Sequence, residues 1–229
     1  MATRPGTLSH YEQTVIITLW ADRHYHTMSR PSGNASKALL NEEKREAAKE
    51  ALLDAIAGTE RGVKASPFDA LDIDAAARAL ERLNPNPAAL KSELLNGEWE
   101  LLYTTSKSIL GATRTWPFRP LGPIYQTLDA GRLRANNRET APFFNAVDAD
   151  LTPTTANAVN VQFVKFKIFG FIPVTAPESA KGALATTYLD AQMRAGRLLR
   201  ILSSFPSNLS FFPSIHAANR GPRHSHAEH

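Results

Sequence analysis

From Trp99 onward the chain adopts a period of two. Trp99, Leu101 and Tyr103 alternate with Glu100, Leu102 and Thr104, the pattern that sends successive side chains to opposite faces of a strand. Strand character recurs over residues 124–128, 132–136, 143–150, 159–169 and 185–189. Gly or Pro marks most junctions, at Pro123, Gly131, Pro142, Pro153, Gly170, Pro173 and Gly182. Connections this short leave no room for crossover helices, so the strands pair antiparallel and a parallel α/β sheet is excluded. Six short strands of this kind form a small barrel or a sandwich.

The segment 159–169 says how such a sheet bends. Val159, Val161 and Phe163 share one face, whereas Val164, Phe166 and Ile168 share the next, against Lys165 and Lys167. A flip of phase inside one long strand is the mark of a β-bulge, which lets sheets curve and close. Ahead of the strands, helical spacing of Ala48, Leu52, Leu53 and Ile56 predicts a helix over 39–57. A second, capped by Asp72, carries Ile73, Ala76, Ala77, Leu80 and Leu83 on one stripe and ends at Asn84-Pro85. Both stripes are read as core contacts.

The pI of 9.4 suggests nucleic acid only until the charge is located. Residues 1–37 and 191–229 hold the excess, leaving 17 basic against 19 acidic groups in 38–190. A nucleic-acid binder needs its basic face on the folded domain, so no nucleic-acid partner is expected. There is no Cys, and between Thr27 and Ile215 there is no His. The candidate domain therefore lacks thiolate chemistry, the commonest general base and the commonest zinc ligands. We expect no catalytic residue, no metal and no cofactor. The rival reading is a carboxylate-based enzyme, with Asp148, Asp150 or Asp190 as base.

Residues 1–37 hold nine Ser or Thr, four Lys or Arg and only two acids. That composition suits either an organelle transit segment or a disordered N-terminus. The longest apolar run there, Val15 to Trp20, is far too short to span a bilayer, which takes about 20 residues. The domain is placed at 38–202, and 203–229, rich in Ser, Pro and His, is expected to be a disordered tail.

The strings Glu81-Arg82-Leu83-Asn84-Pro85 and Leu94-Leu95-Asn96-Gly97-Glu98-Trp99-Glu100-Leu101-Leu102-Tyr103-Thr104-Thr105-Ser106 resemble the plastid lipid-associated protein (PAP/fibrillin) family. Tyr125-Gln126, the run Phe166 to Pro177, and Thr187-Tyr188-Leu189-Asp190 followed by Arg194 and Arg197 extend the likeness over roughly 40–197. The run Phe166 to Pro177 is similar to the harpin-binding-protein-like version. The resemblance implies a mostly β (α+β) fold, a lipocalin-like antiparallel β-barrel preceded by about two helices. It also implies a chloroplast location at plastoglobules or thylakoids. The ligands it implies are prenyl quinones, tocopherol, carotenoids or fatty acids. Ala191 stands where the family has Glu, and Arg197 runs straight into Leu198-Leu199, so the closing strand is expected to be altered. A protein-interaction or scaffold module for a plastid membrane complex is the alternative function, and the carboxylate-based enzyme, then acting on a lipid, is the lesser one.

Six residues are the candidate ligand contacts: Trp99, Tyr103, Tyr125, Phe163, Asp190 and Arg194. Trp99 and Tyr103 are expected to face inward, as core or against a ligand. Asp190 and Arg194, four apart, are read as a charged pair that either grips a polar head or fixes the turn into the last strand. Phe169, Phe171 and Ile172 form an apolar turn. Exposed, it would contact a lipid surface beside Lys165 and Lys167; buried, it would plug one barrel end.

Overall fold

The structure, a computed structural model, describes residues 14–20, 35–107, 109–111 and 120–201. Nine strands and two helices are present among them: β1 (Thr14–Trp20), α1 (Ala35–Ile56), α2 (Pro67–Glu81), β2 (Gly97–Thr104), β3 (Ile124–Asp129), β4 (Arg134–Glu139), β5 (Ala146–Pro153), β6 (Ala158–Ile168), β7 (Ile172–Thr175), β8 (Lys181–Leu189) and β9 (Met193–Ile201). Sheet order is β5-β4-β3-β2-β1-β9-β8-β6-β7, and the further pairing of β5 with β6 closes eight of these strands into an antiparallel barrel. The expected lipocalin-like barrel is therefore present, and it is closed.

Long β6 makes the closure. Its first half pairs with β8, its second half with the short β7, and its whole length with β5. Asp148 faces Lys165 while Ala149 faces Phe163, so Val164 is the extra residue of a bulge. That is the position of the phase flip.

The element that completes the ring is β1, which pairs with β2 on one side and β9 on the other. It comes from residues 14–20, within the stretch that composition assigned to a transit segment or a disordered N-terminus. The rest of 1–37, apart from the start of α1, and the expected tail at 203–229 lie outside the described residues. The expectation of an altered closing strand is also revised. Leu198 to Ile201 simply continue β9, a nine-residue strand paired on both edges.

Two cores result. One lies on the outer face of β1, β2, β8 and β9 under the helices: Val15, Ile17, Tyr103, Tyr188, Met193 and Ala195 pack against Leu52, Ile56, Ile73, Ala77 and Leu80. Helix α2 begins earlier than Asp72, because Ser66 caps it and Ser66 and Asp69 form a reciprocal capping box ahead of Pro67. The second core fills the barrel floor with Trp99, Leu128, Ala135, Ala149 and Leu189. Two 3-10 turns, 89–91 and 93–95, seal that end by placing Ala89 and Leu95 on it. The Trp99 indole donates to the Leu95 carbonyl at 3.1 Å. Gly97, at φ +123, lets the Trp20 ring lie against the backbone, where a Cβ would come within 2.1 Å.

Candidate functional site

Cross-strand pairing sorts the candidate residues by face. The row Trp20–Trp99–Gln126–Asn137–Val147–Phe166 crosses five strand pairs and points inward. The next row, Leu128–Ala135–Ala149–Phe163, lies beside it on the floor side. Trp99 and Phe163 are thus interior residues. Trp99 is fully buried in the floor, edge-on to Trp20 at 5.2 Å, and Phe163 stacks on Phe166 at 6.4 Å.

Tyr103 does not share that interior, against expectation. The β1–β2 register slips between Ile17 and Thr18, so Leu102 is an extra residue and Tyr103 turns to the helices beside Ile17. Tyr125 lies on the outer wall, paired with Glu100 and under the Arg138 guanidinium at 5.2 Å.

Asp190 and Arg194 are not a pair. Asp190 occupies the β8–β9 turn. Its Oδ1 accepts from the backbone N–H of Gln192 and Met193 at 2.8 and 2.7 Å, and its Oδ2 accepts from the Tyr188 hydroxyl at 2.6 Å and Lys49 Nζ at 2.9 Å. Burial alone would raise this carboxyl, but those four donors hold it below the usual carboxylate range.

Arg194 points the other way, into the barrel. Its pairing partners are Thr18 and Leu189, and it is 4% exposed. Nε donates to Thr18 Oγ1 at 3.2 Å, Nη2 donates to Gln126 Oε1, and the guanidinium lies 5.3 Å over the Trp99 ring. Gln126 in turn donates to Asn137 Oδ1 at 2.7 Å. No carboxylate reaches Arg194 among the described residues, and burial pulls its pKa down to about 10. Sequence reading singled out Arg194 but missed Thr18, Gln126 and Asn137, whose inward aim depends on register.

The carboxylates proposed as bases do not converge. Asp148 and Asp150 lie on the outer wall, bound to Asn136 and Lys167 and to Arg134 respectively, while Asp190 faces α1. A groove of about 230 Å³ on that wall is lined mainly by polar side chains, among them Thr127, Arg134, Asp148 and Lys165. No cluster of three metal-ligating residues occurs among the described residues. No helix there is long and apolar enough to cross a membrane.

The end of the barrel opposite the sealed floor has a different surface. The turns 140–145 and 169–171 meet there: Phe169 N–H donates to Asn145 Oδ1 at 3.2 Å, and the Phe143 and Phe169 rings lie edge-on at 5.6 Å. Phe144, Phe169, Phe171 and Ile172 are all exposed, Phe171 at 76%. Phe144 and Phe169 both hold left-handed backbone, at φ +53, which is uncommon for bulky residues. Leu121, bonded through its N–H to Ala141, adds a fifth exposed apolar side chain at this rim. Lys167 at the rim is committed to Asp148 at 3.2 Å.

The PAP_fibrillin family model matches residues 46–198, from within α1 to within β9, leaving β1 outside the match. The chain is 46% identical over 168 residues to "Probable plastid-lipid-associated protein 5, chloroplastic" of Arabidopsis thaliana, covering 71% of each chain. It is 32% identical over 130 residues to "Plastoglobulin-1, chloroplastic" of Pisum sativum, over 53% of this chain and 36% of that one. It is 34% identical over 116 residues to "Chromoplast-specific carotenoid-associated protein C1, chromoplastic" of an Oncidium hybrid cultivar, over 48% and 34%. No solved structure matches. The chain belongs to the PAP/fibrillin family of plastid proteins.

Proposed function

We propose that this protein is a non-enzymatic lipid-surface protein. On this reading it seats the apolar rim of its barrel on a plastoglobule or thylakoid membrane and holds lipophilic molecules there. Prenyl quinones, tocopherol, carotenoids or fatty acids are the candidate cargo. The observation that carries the reading is the concentration of Leu121, Phe144, Phe169, Phe171 and Ile172, all exposed, at one barrel end. A monomer rarely leaves such a patch in water unless something binds it. Names among the relatives, plastoglobulin and carotenoid-associated protein, agree with it. The scatter of the carboxylates favours holding over turnover, because among the described residues Asp148, Asp150 and Asp190 face no common point.

Moving a Phe side chain from water into lipid is worth about 1.5–3 kcal/mol, and about 1.4 kcal/mol is tenfold in an equilibrium. Phe171→Asp is therefore expected to lower partitioning onto galactolipid vesicles containing phosphatidylglycerol by about tenfold or more. Its melting temperature should stay unchanged, since Phe171 supports no core. Flotation of the two proteins side by side measures this. Equal flotation would remove the rim from the mechanism.

A further inference from the structure

Arg194 is a feature of the barrel interior that neither core packing nor seating on a lipid surface uses. A guanidinium taken out of water without a counter-charge is costly, several kcal/mol for an ion in a protein interior. Two neutral acceptors, Thr18 Oγ1 and Gln126 Oε1, satisfy part of its donor fork, and the Trp99 face attracts the cation, but none of the three supplies a counter-charge. Its remaining nitrogen, Nη1, donates to no described residue.

Its position is specific as well. Below it, toward the sealed end, Trp99, Leu128 and Leu189 are buried. Gln126 and Asn137 beside it, and Val147, Phe163 and Phe166 across the barrel, are only half-buried. The cation thus stands at the boundary between a packed floor and a half, toward the rim, whose inward side chains are more exposed.

We infer that Arg194 is the anchor for the carboxylate of an acidic lipid, held head-inward with its acyl chain along Phe163 and Phe166. The inference rests on the lipid-holding reading above and narrows it from lipophilic molecules at large to acidic ones. A carboxylate matches the planar fork of an arginine, and a bond between two charged groups is stronger than one to a neutral oxygen. Thr18 and Gln126 fix the guanidinium before any ligand arrives, so little ordering opposes binding. A neutral quinone or carotenoid would leave the cation uncompensated.

The test uses the full chain and two fluorescent probes, cis-parinaric acid and its methyl ester, titrated at neutral pH. Wild type is expected to bind the acid at least tenfold more tightly than the ester. Arg194→Gln should bring the two affinities within about twofold of each other. Gln126→Glu supplies a carboxylate from the protein itself, at a half-buried site that tolerates charge better, and should abolish the preference equally. Competition with acetate should displace no probe at concentrations where palmitate does. Equal binding of acid and ester by wild type overturns the anchor and leaves lipid holding intact. A preference that survives in Gln126→Glu or in a folded Arg194→Gln also overturns it, and so does displacement by acetate. Failure of wild type to bind either probe overturns both this inference and the holding of such lipids.

Discussion

Replacing Arg197 by Met should lower the unfolding free energy by about 3–5 kcal/mol, a large part of the stability of a domain this size. Arg197 leaves the outer face of β9 and grips α2. Nε and Nη2 make a two-pronged contact with Glu81 at 2.8 and 2.9 Å, and Nη1 reaches Asp74 at 2.8 Å. It is 5% exposed, so this is a buried ion cluster. Removing the cation strands Glu81, whose Oε1 would keep only the Thr187 hydroxyl at 2.7 Å. Helix α2 would then lose its charged tether to the barrel, while Lys49 of α1 would still hold Asp190.

Urea unfolding of Arg197→Met beside Arg134→Met separates this from charge removal in general. Arg134 pairs with Asp150 on the open wall, where an ion pair is worth about 0–1 kcal/mol. The acid limb carries a second signature. Burial alone would raise Asp74, yet the hydrogen bonds from Arg197 and Arg78 hold it below its ordinary value. A depressed folded pKa gives stability that is present above the unfolded value and lost as pH falls through the folded one. Arg197→Met should therefore shrink the acid-induced loss below about pH 4, where an unfolded Asp titrates. Loss of less than about 1 kcal/mol, with an unchanged acid limb, would show that the cluster is ornamental to α2 docking.

How much of this was readable in advance depended on which side chains alternate. Trp99 and Leu101 stand against Glu98 and Glu100, so β2 announces itself, and the Phe163-Val164 flip marks a bulge because lysines label the outer face beyond it. Strand β1 carries no such label. Val15, Ile17 and Leu19 face the helices while Ile16, Thr18 and Trp20 face the barrel, so both sides are apolar and no period appears. A strand covered on both faces reads as a plain apolar run. The poverty of acids around it then suits a transit segment or a disordered N-terminus instead. Tyr103 was misplaced for the same reason: with Leu101, Leu102 and Tyr103 all apolar, an extra residue at Leu102 leaves no trace in the pattern.

The separation of Asp190 from Arg194 failed to show for a different cause. One occupies a turn and the other a strand, and the turn sends them to opposite faces. Asp190's charged partner, Lys49, is 141 residues away. Nothing local could have named it. The residues that surround Arg194 likewise come from β1, β2 and β3, and only the closed ring brings them to one point.

Asp190→Asn is expected to cost about 3–4 kcal/mol, because the substitution breaks a buried charge pair while nearly preserving shape. The Asn carbonyl oxygen can replace Oδ1 and keep the two turn N–H groups. The amide nitrogen then takes the place of Oδ2, where it can donate to the Tyr188 hydroxyl oxygen but meets the Lys49 ammonium donor to donor and cannot bond it. Lys49 would retain Gln192 Oε1 at 2.8 Å and the more exposed Glu46 at 2.6 Å. The pH profile should change at both ends. Wild-type Asp190 is held low, so its contribution is present above the unfolded carboxyl value and lost as pH falls through the folded one. For Lys49, burial lowers the pKa but its bonds to Glu46 and Asp190 outweigh that and leave it raised above 10.5. Tyr188 is raised as well, by burial and then by Asp190. Groups with raised folded pKa stabilise fully below their unfolded values, and that stability is lost as pH climbs through the folded ones. Chemical denaturation of wild type should therefore show a plateau between about pH 5 and pH 9, falling on either side. Asp190→Asn should lower the plateau and flatten both flanks. Because Asp190 faces α1 rather than the barrel interior, the folded variant should bind cis-parinaric acid with wild-type affinity. A selective loss of that affinity, with stability intact, would move Asp190 from the turn's architecture into the ligand site.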